Sequence, residues 1–303
     1  MSVRPPATVA FLGFGLIGGS IAQAITRGAN PNVPAGRPRL TAWTPSGRGP
    51  ALAVEDGIID LAAATEADAL EGADLVVIAA PPLEAIALVK RLGSELAPFL
   101  APGALVTDVA STKGAIVSAA VEAGIRFVGG HPMAGRETSG YASASRDLFV
   151  DRPWIIVTPE GTPDATAEPV RWLARRCGAR PVAVSARVHD ASAAAVSHLP
   201  LIAAAALVEA VCLRDPDAWA TAGPLAASGW ASATRLARGD PRMGAGIIVT
   251  NAAEVAAQLR ALRAALDSWL AVVEAEGGPD ADAIERRLAT ARAALAPNVD
   301  PHE

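Results

Sequence analysis

The sequence has 303 residues, 51% of them apolar, and a formal net charge of -5. That length accommodates about two domains with a substantial core, and arginines scattered along an acidic chain exclude the one-sided basic surface of a nucleic-acid binder. The longest apolar run, near Leu201 to Leu213, is interrupted by Glu209 and too short for a bilayer, so no membrane span is expected.

The segment Val9 to Leu12 reads as a buried strand within the first dozen residues, with no secretory signal ahead of it, so a cytoplasmic location is expected. It runs into Gly13-Phe-Gly15-Leu-Ile-Gly18-Gly-Ser20 and then an Ala/Ile-rich helix ending near Gly28. In a dinucleotide-binding turn Gly13 permits the tight bend, Gly15 lets a pyrophosphate approach the backbone, and Gly18 lets helix and strand pack closely. A long Pro/Gly/Asn-rich excursion follows, then a second strand at Leu40 to Trp43. An NAD-selective site usually ends that strand in an acid; here stand Thr44, Pro45, Ser46, Gly47 and Arg48. Hydroxyls and a guanidinium suit a 2′-phosphate, so NADP is favoured over NAD, with Arg48 as a solvated loop residue the plain alternative.

Asp74 to Ala79 reads as a strand broken by Pro81-Pro82, with a helix from about Leu83; Ala104 to Asp108 is another, ending in Val-Ala-Ser111-Thr112-Lys113. Ser111, Thr112 and Lys113 either line a pocket at the sheet's carboxyl edge or start a helix. Phe127-Val128 is expected to lead, through Gly129-Gly130, to His131 just past a strand end. Alone, that imidazole reads more readily as a turn residue than as a catalytic one.

Trp154 to Val157 and Pro181 to Val184 read as strands around a helix from Ala165 to Cys177, and from about Ala186 helical periodicity takes over. The fold class is therefore an α/β Rossmann-type domain (1–185) followed by an all-α domain (186–303). Cys177 and Cys212 sit far apart without metal-ligand spacing, and no metal site is expected. Within Ser197-His198-Leu199-Pro200 the proline should kink the helix and free the Val196 carbonyl. Gly239, Asp240 and Pro241 should stop one helix and start another just after Arg235.

Gly13 to Ser20, Asp108 to Lys113, Gly129-Gly-His-Pro-Met-Ala-Gly135 with Glu137 and Ser139-Gly140, Ser197 to Pro200, and Thr234-Arg235 with Asp240-Pro241 occur in the order found in prephenate/arogenate dehydrogenases, which this chain resembles. The resemblance implies oxidative decarboxylation of prephenate to 4-hydroxyphenylpyruvate, with arogenate or a 4-amino analogue as alternative substrates. It implies His131 and Ser111 as catalytic residues, and Arg235, His198, Ser197 and Arg136 as substrate-binding. The cofactor would lie on Gly13, Gly15, Leu16, Ile17 and Gly18, on Thr44, Ser46 and Arg48, and on Ala80-Pro81. It also implies a homodimer acting on a small molecule in tyrosine biosynthesis. Leu201 stands where the family usually has a histidine, and Arg136 where it often has a small polar residue. A module that senses NADP without turnover is the reading from a different class. A β-hydroxyacid dehydrogenase is disfavoured because 186–303 contains no lysine.

Overall fold

The computed structural model describes residues 5–28, 37–136 and 138–295. Glu137 and most of the excursion before the second strand lie outside them. Five strands, β1 (Thr8–Leu12), β2 (Arg39–Trp43), β3 (Leu61–Ala62), β4 (Leu75–Ile78) and β5 (Leu105–Asp108), form an all-parallel sheet in the order β3-β2-β1-β4-β5. Alternate residues of β1 feed opposite faces. Val9 and Phe11 pack with Ile21 and Ile25 of α1 (Leu16–Arg27), while Ala10 and Leu12 join Val89 and Leu92 of α4 (Pro82–Leu92) and Ile116 of α5 (Gly114–Glu122). Both sheet faces are thus covered, which is why these strands read as continuous apolar runs. The short helices α2 (Arg48–Glu55) and α3 (Glu66–Leu70) complete the crossovers around β3.

A second sheet, β6 (Gly129–Pro132), β7 (Pro153–Val157) and β8 (Arg180–Ala183), pairs β6 antiparallel and β8 parallel to β7. The sequence expectation at β6 needs correction. Phe127 makes only an isolated parallel bridge to Val106, and the strand itself holds His131, opposite Ile155. The imidazole is therefore fixed inside a ladder, more rigidly than past a strand end. Arg48 is likewise not a loop residue but the first residue of α2.

After α6 (Glu168–Arg176) and β8 the elements are helical: α7 (Ala186–Ala193), α8 (Leu199–Val208), α9 (Pro216–Ala222), α10 (Ser228–Ala233), α11 (Pro241–Thr250), α12 (Ala252–Val273) and α13 (Ala281–Leu295). A π-turn, Ala194–His198, joins α7 to α8, and the Leu199 N–H bonds the Ala194 carbonyl across it. The extra residue in that turn accommodates the N–H missing from Pro200, so a π-bulge stands where a kink was expected. Helix from Ala186 to Leu213 is consequently continuous, and by length and composition alone it could cross a membrane, unlike the shorter run read from the sequence. Asp240 caps α11 by accepting from the Arg242 N–H at 2.8 Å.

By compactness the chain divides between Val255 and Ala256. In the second unit the Arg287 guanidinium lies over the Trp269 ring at 3.9 Å and donates to the Ser268 carbonyl at 3.0 Å.

Candidate active site

At the mouth of β1, Gly13 has a φ of 91°, and a Cβ there would lie 2.3 Å from the Ala79 carbonyl oxygen, so only glycine fits between β1 and the end of β4. Gly18 shows the same crowding, its Cβ position 3.0 Å from the Gly13 carbonyl oxygen. Gly15 is the opposite case: nothing lies within 4 Å of its Cβ position, and no side chain caps α1, whose leading N–H groups, those of Leu16 and Ile17 among them, are left for an anion. An open cradle of backbone donors between two crowded glycines fits a pyrophosphate. Ala80 and Pro81 follow Ala79 along its edge.

Helix α2 starts directly against this turn, since a Cβ on Gly49 would meet the Phe14 carbonyl oxygen at 2.6 Å. The Thr44 hydroxyl accepts from the Gly47 N–H at 3.1 Å, and Ser46 and Arg48 stand exposed at the helix start. The segment beyond His131 returns to the same place. Tyr141 stacks on Phe14 with centroids 5.7 Å apart and donates its hydroxyl to Asp56 at 2.8 Å, while the Ser145 N–H donates to Ser20 Oγ at 2.9 Å.

The other half of the site is built on Asp108, the last residue of β5. Its carboxylate accepts from the Ala110 N–H at 2.9 Å and the Gly130 N–H at 3.2 Å, and it pairs with the Lys113 ammonium, both side chains having no exposed surface. Burial pulls the Lys113 pKa down, against the opposing charges of Asp108 and Asp190. Gly130 is obligatory for strand β6 to lie this close, because a Cβ there would meet the Asp108 carbonyl oxygen at 2.7 Å.

His131 Nδ1 lies 2.8 Å from His189 Nε2, and His189 Nδ1 lies 2.7 Å from Asp190 Oδ1. Asp190 also accepts from two backbone donors at the start of α5, the Lys113 N–H on Oδ1 and the Gly114 N–H on Oδ2, each at 2.7 Å. Asn251 donates to the Asp190 carbonyl at 2.8 Å and touches His198 Nδ1 at 3.2 Å. His198 is fully buried, and its Nε2 makes no hydrogen bond of good geometry among the described residues, although the Ser111 backbone lies near enough to oppose part of the burial effect. A buried, unpaired imidazole nitrogen costs free energy unless a ligand meets it. Burial drives the His131 pKa well below the usual histidine range, and His189, Lys113 and His198 push the same way. The His198 pKa is also lowered, chiefly by burial. His131 is therefore neutral at physiological pH.

Of the residues named from sequence, His131, His198 and the Ser111–Lys113 turn come together through Asp190 and Asn251. Ser111 is half-buried, and Thr112 bonds Thr250 of α11 at 2.8 Å. Arg235 opens a 3-10 turn packed on α8 and is exposed, as are Arg136 and Ser197, the latter beside buried His198. Sequence reading missed His189, Asp190 and Asn251. The adjacent His-Asp pair one turn after the Ser185 cap was the available signal.

The comparisons with known proteins bear on this arrangement. The profile "Prephenate dehydrogenase, nucleotide-binding domain" matches residues 45–183, and "Prephenate dehydrogenase, dimerization domain" matches 185–288. Prephenate dehydrogenase of Bacillus subtilis (strain 168) is 30% identical over 288 residues, covering 94% of this chain and 74% of that protein. The chain belongs to the prephenate dehydrogenase family. It is thus an NAD(P)-dependent oxidoreductase of tyrosine biosynthesis, with a parallel-sheet nucleotide-binding domain followed by a helical dimerization domain. The solved prephenate dehydrogenase of A. aeolicus, in complex with hydroxyphenyl propionate and NAD+, superposes with a TM-score of 0.83 at 25% identity, covering 97% of this chain and 100% of that one. Synechocystis arogenate dehydrogenase superposes at 0.76 with 27% identity, covering 96% and 100%.

Proposed function

We propose that the enzyme converts prephenate to 4-hydroxyphenylpyruvate and CO2 with NADP favoured over NAD, His131 serving as the base. The observation that carries this reading is a buried, neutral imidazole locked in β6 on a segment that Tyr141 and Ser145 tie back to the glycine turn. When bound, the nicotinamide supplies the acceptor for a hydride from the ring carbon bearing the 4-hydroxyl. His131 takes the proton of that hydroxyl as the C–H bond breaks; loss of the ring carboxylate as CO2 makes the ring aromatic and puts the electron pair on the ring oxygen, which takes the proton back from His131. Such a base contributes about 10² to 10⁴ in rate. Ser111 orients the hydroxyl, the unpaired His198 Nε2 offers the substrate a polar contact, and the Arg235 fork grips a carboxylate. Ser197 and Arg136 complete the substrate side.

Leu16 and Ile17 belong to the first turn of α1 over the pyrophosphate, and Ala80-Pro81 flank the nicotinamide side. No acid ends β2. Thr44, Ser46 and Arg48 sit instead at the uncapped start of α2, where a 2′-phosphate meets hydroxyls, a guanidinium and free N–H groups. The division into a 1–185 nucleotide domain and a 186–303 substrate and dimer domain is part of the same proposal. Exposed Val196, Val211 and Leu213 along the long helix offer an apolar face to a second copy. Free Cys177 and Cys212 fit a reducing compartment, the cytoplasm.

The test is a panel of prephenate, arogenate and the 4-amino analogue, each crossed with NAD and NADP. Fastest turnover of prephenate with NADP is expected; preference for either amino compound, or for NAD, replaces that part of the reading. His131→Asn should keep cofactor binding and lose most turnover. Full activity in that variant would require another base, and cofactor binding without turnover of any substrate would favour a sensing module.

A further inference from the structure

The bonds around Asp190 determine which nitrogen of His131 carries a hydrogen. Both Asp190 oxygens accept from backbone N–H groups, which only a carboxylate does well. Burial opposes its charge, but the bonds from His189, Gly114 and Lys113 outweigh that and hold its pKa below the ordinary range. Facing an ionised oxygen at 2.7 Å, His189 Nδ1 must donate. A neutral His189 then has a bare Nε2, and at 2.8 Å from it His131 Nδ1 must be the donor. A neutral His131 is consequently left with its lone pair on Nε2.

From this we propose that His189 and Asp190 are positioning residues that hold His131 in the Nδ1–H tautomer, present Nε2 as the base, and balance the imidazolium formed in turnover. The inference rests on the reading of His131 as the base. No bond along the relay need break. The substrate proton arrives at Nε2, the Nδ1–H stays on His131, and both N–H donors of the relay remain in place.

The charges around His131 agree with this role. Asp108 and Lys113, from the β5–α5 segment, neutralise one another, His198 in the π-turn is held toward its neutral form by burial, and the proposed hydrogen placement leaves one ring hydrogen on His189, facing Asp190. Asp190 is then the one uncompensated charge of the cluster, negative, and two bonds away from the nitrogen pair that becomes cationic. A partner that fixes tautomer and counter-charge is what an orienting carboxylate supplies to a catalytic imidazole elsewhere, where its loss costs several powers of ten. The present carboxylate acts through an intervening ring. Asp190 itself cannot be replaced cleanly, because an amide would turn an NH2 group toward one of the two backbone donors. His189 is therefore the position to vary.

The first measurement needs no variant. The chain contains four histidines, so a long-range 15N–1H spectrum of enzyme labelled with 15N-histidine, assigned with His131→Asn, reads the tautomer directly. A protonated Nδ1 and bare Nε2 on His131 near neutral pH are expected; the reverse tautomer overturns the proposal. The second compares His189→Phe, which has no acceptor, with His189→Gln, whose amide oxygen reaches the place of Nε2. His189→Phe should lower kcat about 10²-fold with KM little changed, and His189→Gln should restore most of it. If both fall equally, or Phe is the better tolerated, the residue is packing only. His131→Asn separates the two readings: if it retains turnover, the base assignment fails, whereas an inactive His131→Asn beside a fully active His189→Phe removes the relay alone.

Discussion

Replacing Lys113 with methionine keeps most of the side-chain stem and removes the ammonium. Asp108 would then be sealed from solvent with two N–H donors, those of Ala110 and Gly130, and without its counter-charge. Removing one member of a buried ion pair costs about 3–5 kcal/mol because the remaining charge is stranded, a large share of the roughly 5–15 kcal/mol that holds a typical fold. For a unit of this size each kcal/mol moves the melting midpoint by about 2–4 °C, so a drop of about 6–20 °C is expected. Differential scanning calorimetry on wild type and variant measures the effect. A Lys113→Met midpoint within about 2 °C of wild type refutes the reasoning.

Gly130→Ala places a methyl group 2.7 Å from the Asp108 carbonyl oxygen and 3.0 Å from Trp154 Nε1, so urea titration should show a loss of about 1–3 kcal/mol, with kcat falling as β6 shifts. Arg48→Ala should raise KM for NADP about 10-fold while leaving KM for NAD unchanged, since one charge-assisted bond is worth about 1.5–3 kcal/mol; equal effects on both cofactors would remove Arg48 from the phosphate site. His131 and His198 have depressed values in the fold, so below about 6.5 the unfolded chain takes up protons that the folded one refuses. Stability should therefore be full above that pH and decline as pH falls toward the folded values. Denaturant midpoints from pH 8 to 5 test this, and a flat profile rejects buried neutral imidazoles.

Much of the nucleotide-binding half is legible because its strands are buried on both faces: β1, β2, β4 and β5 each announce themselves as apolar runs. The glycine turn is readable because Gly13 and Gly18 are crowded by neighbouring backbone while Gly15 leaves the cradle between them open. Helix α2 is hidden because Gly49 and Pro50, ordinarily signs of a turn, here sit in its first turn. Strand β3 is only two residues long, too short for any period. The His131 segment misleads by one step, since Phe127-Val128 is the stronger apolar pair, yet Gly129-Gly130 makes the ladder because only glycines approach Asp108 so closely. His189, Asp190 and Asn251 escape altogether. Their meaning depends on α7 and α11 meeting the loop after β5, across 77 and 61 positions of chain in the bonds from Lys113 to Asp190 and from Asn251 to Asp190.

Lysine is scarce in this sequence, which has only Lys90, exposed on α4, and the enclosed Lys113. Acylating reagents offered to the intact fold should therefore modify a single side chain besides the terminal amine. An increment beyond those two marks molecules that have opened at the site, giving a built-in counter of breathing that needs no engineered probe.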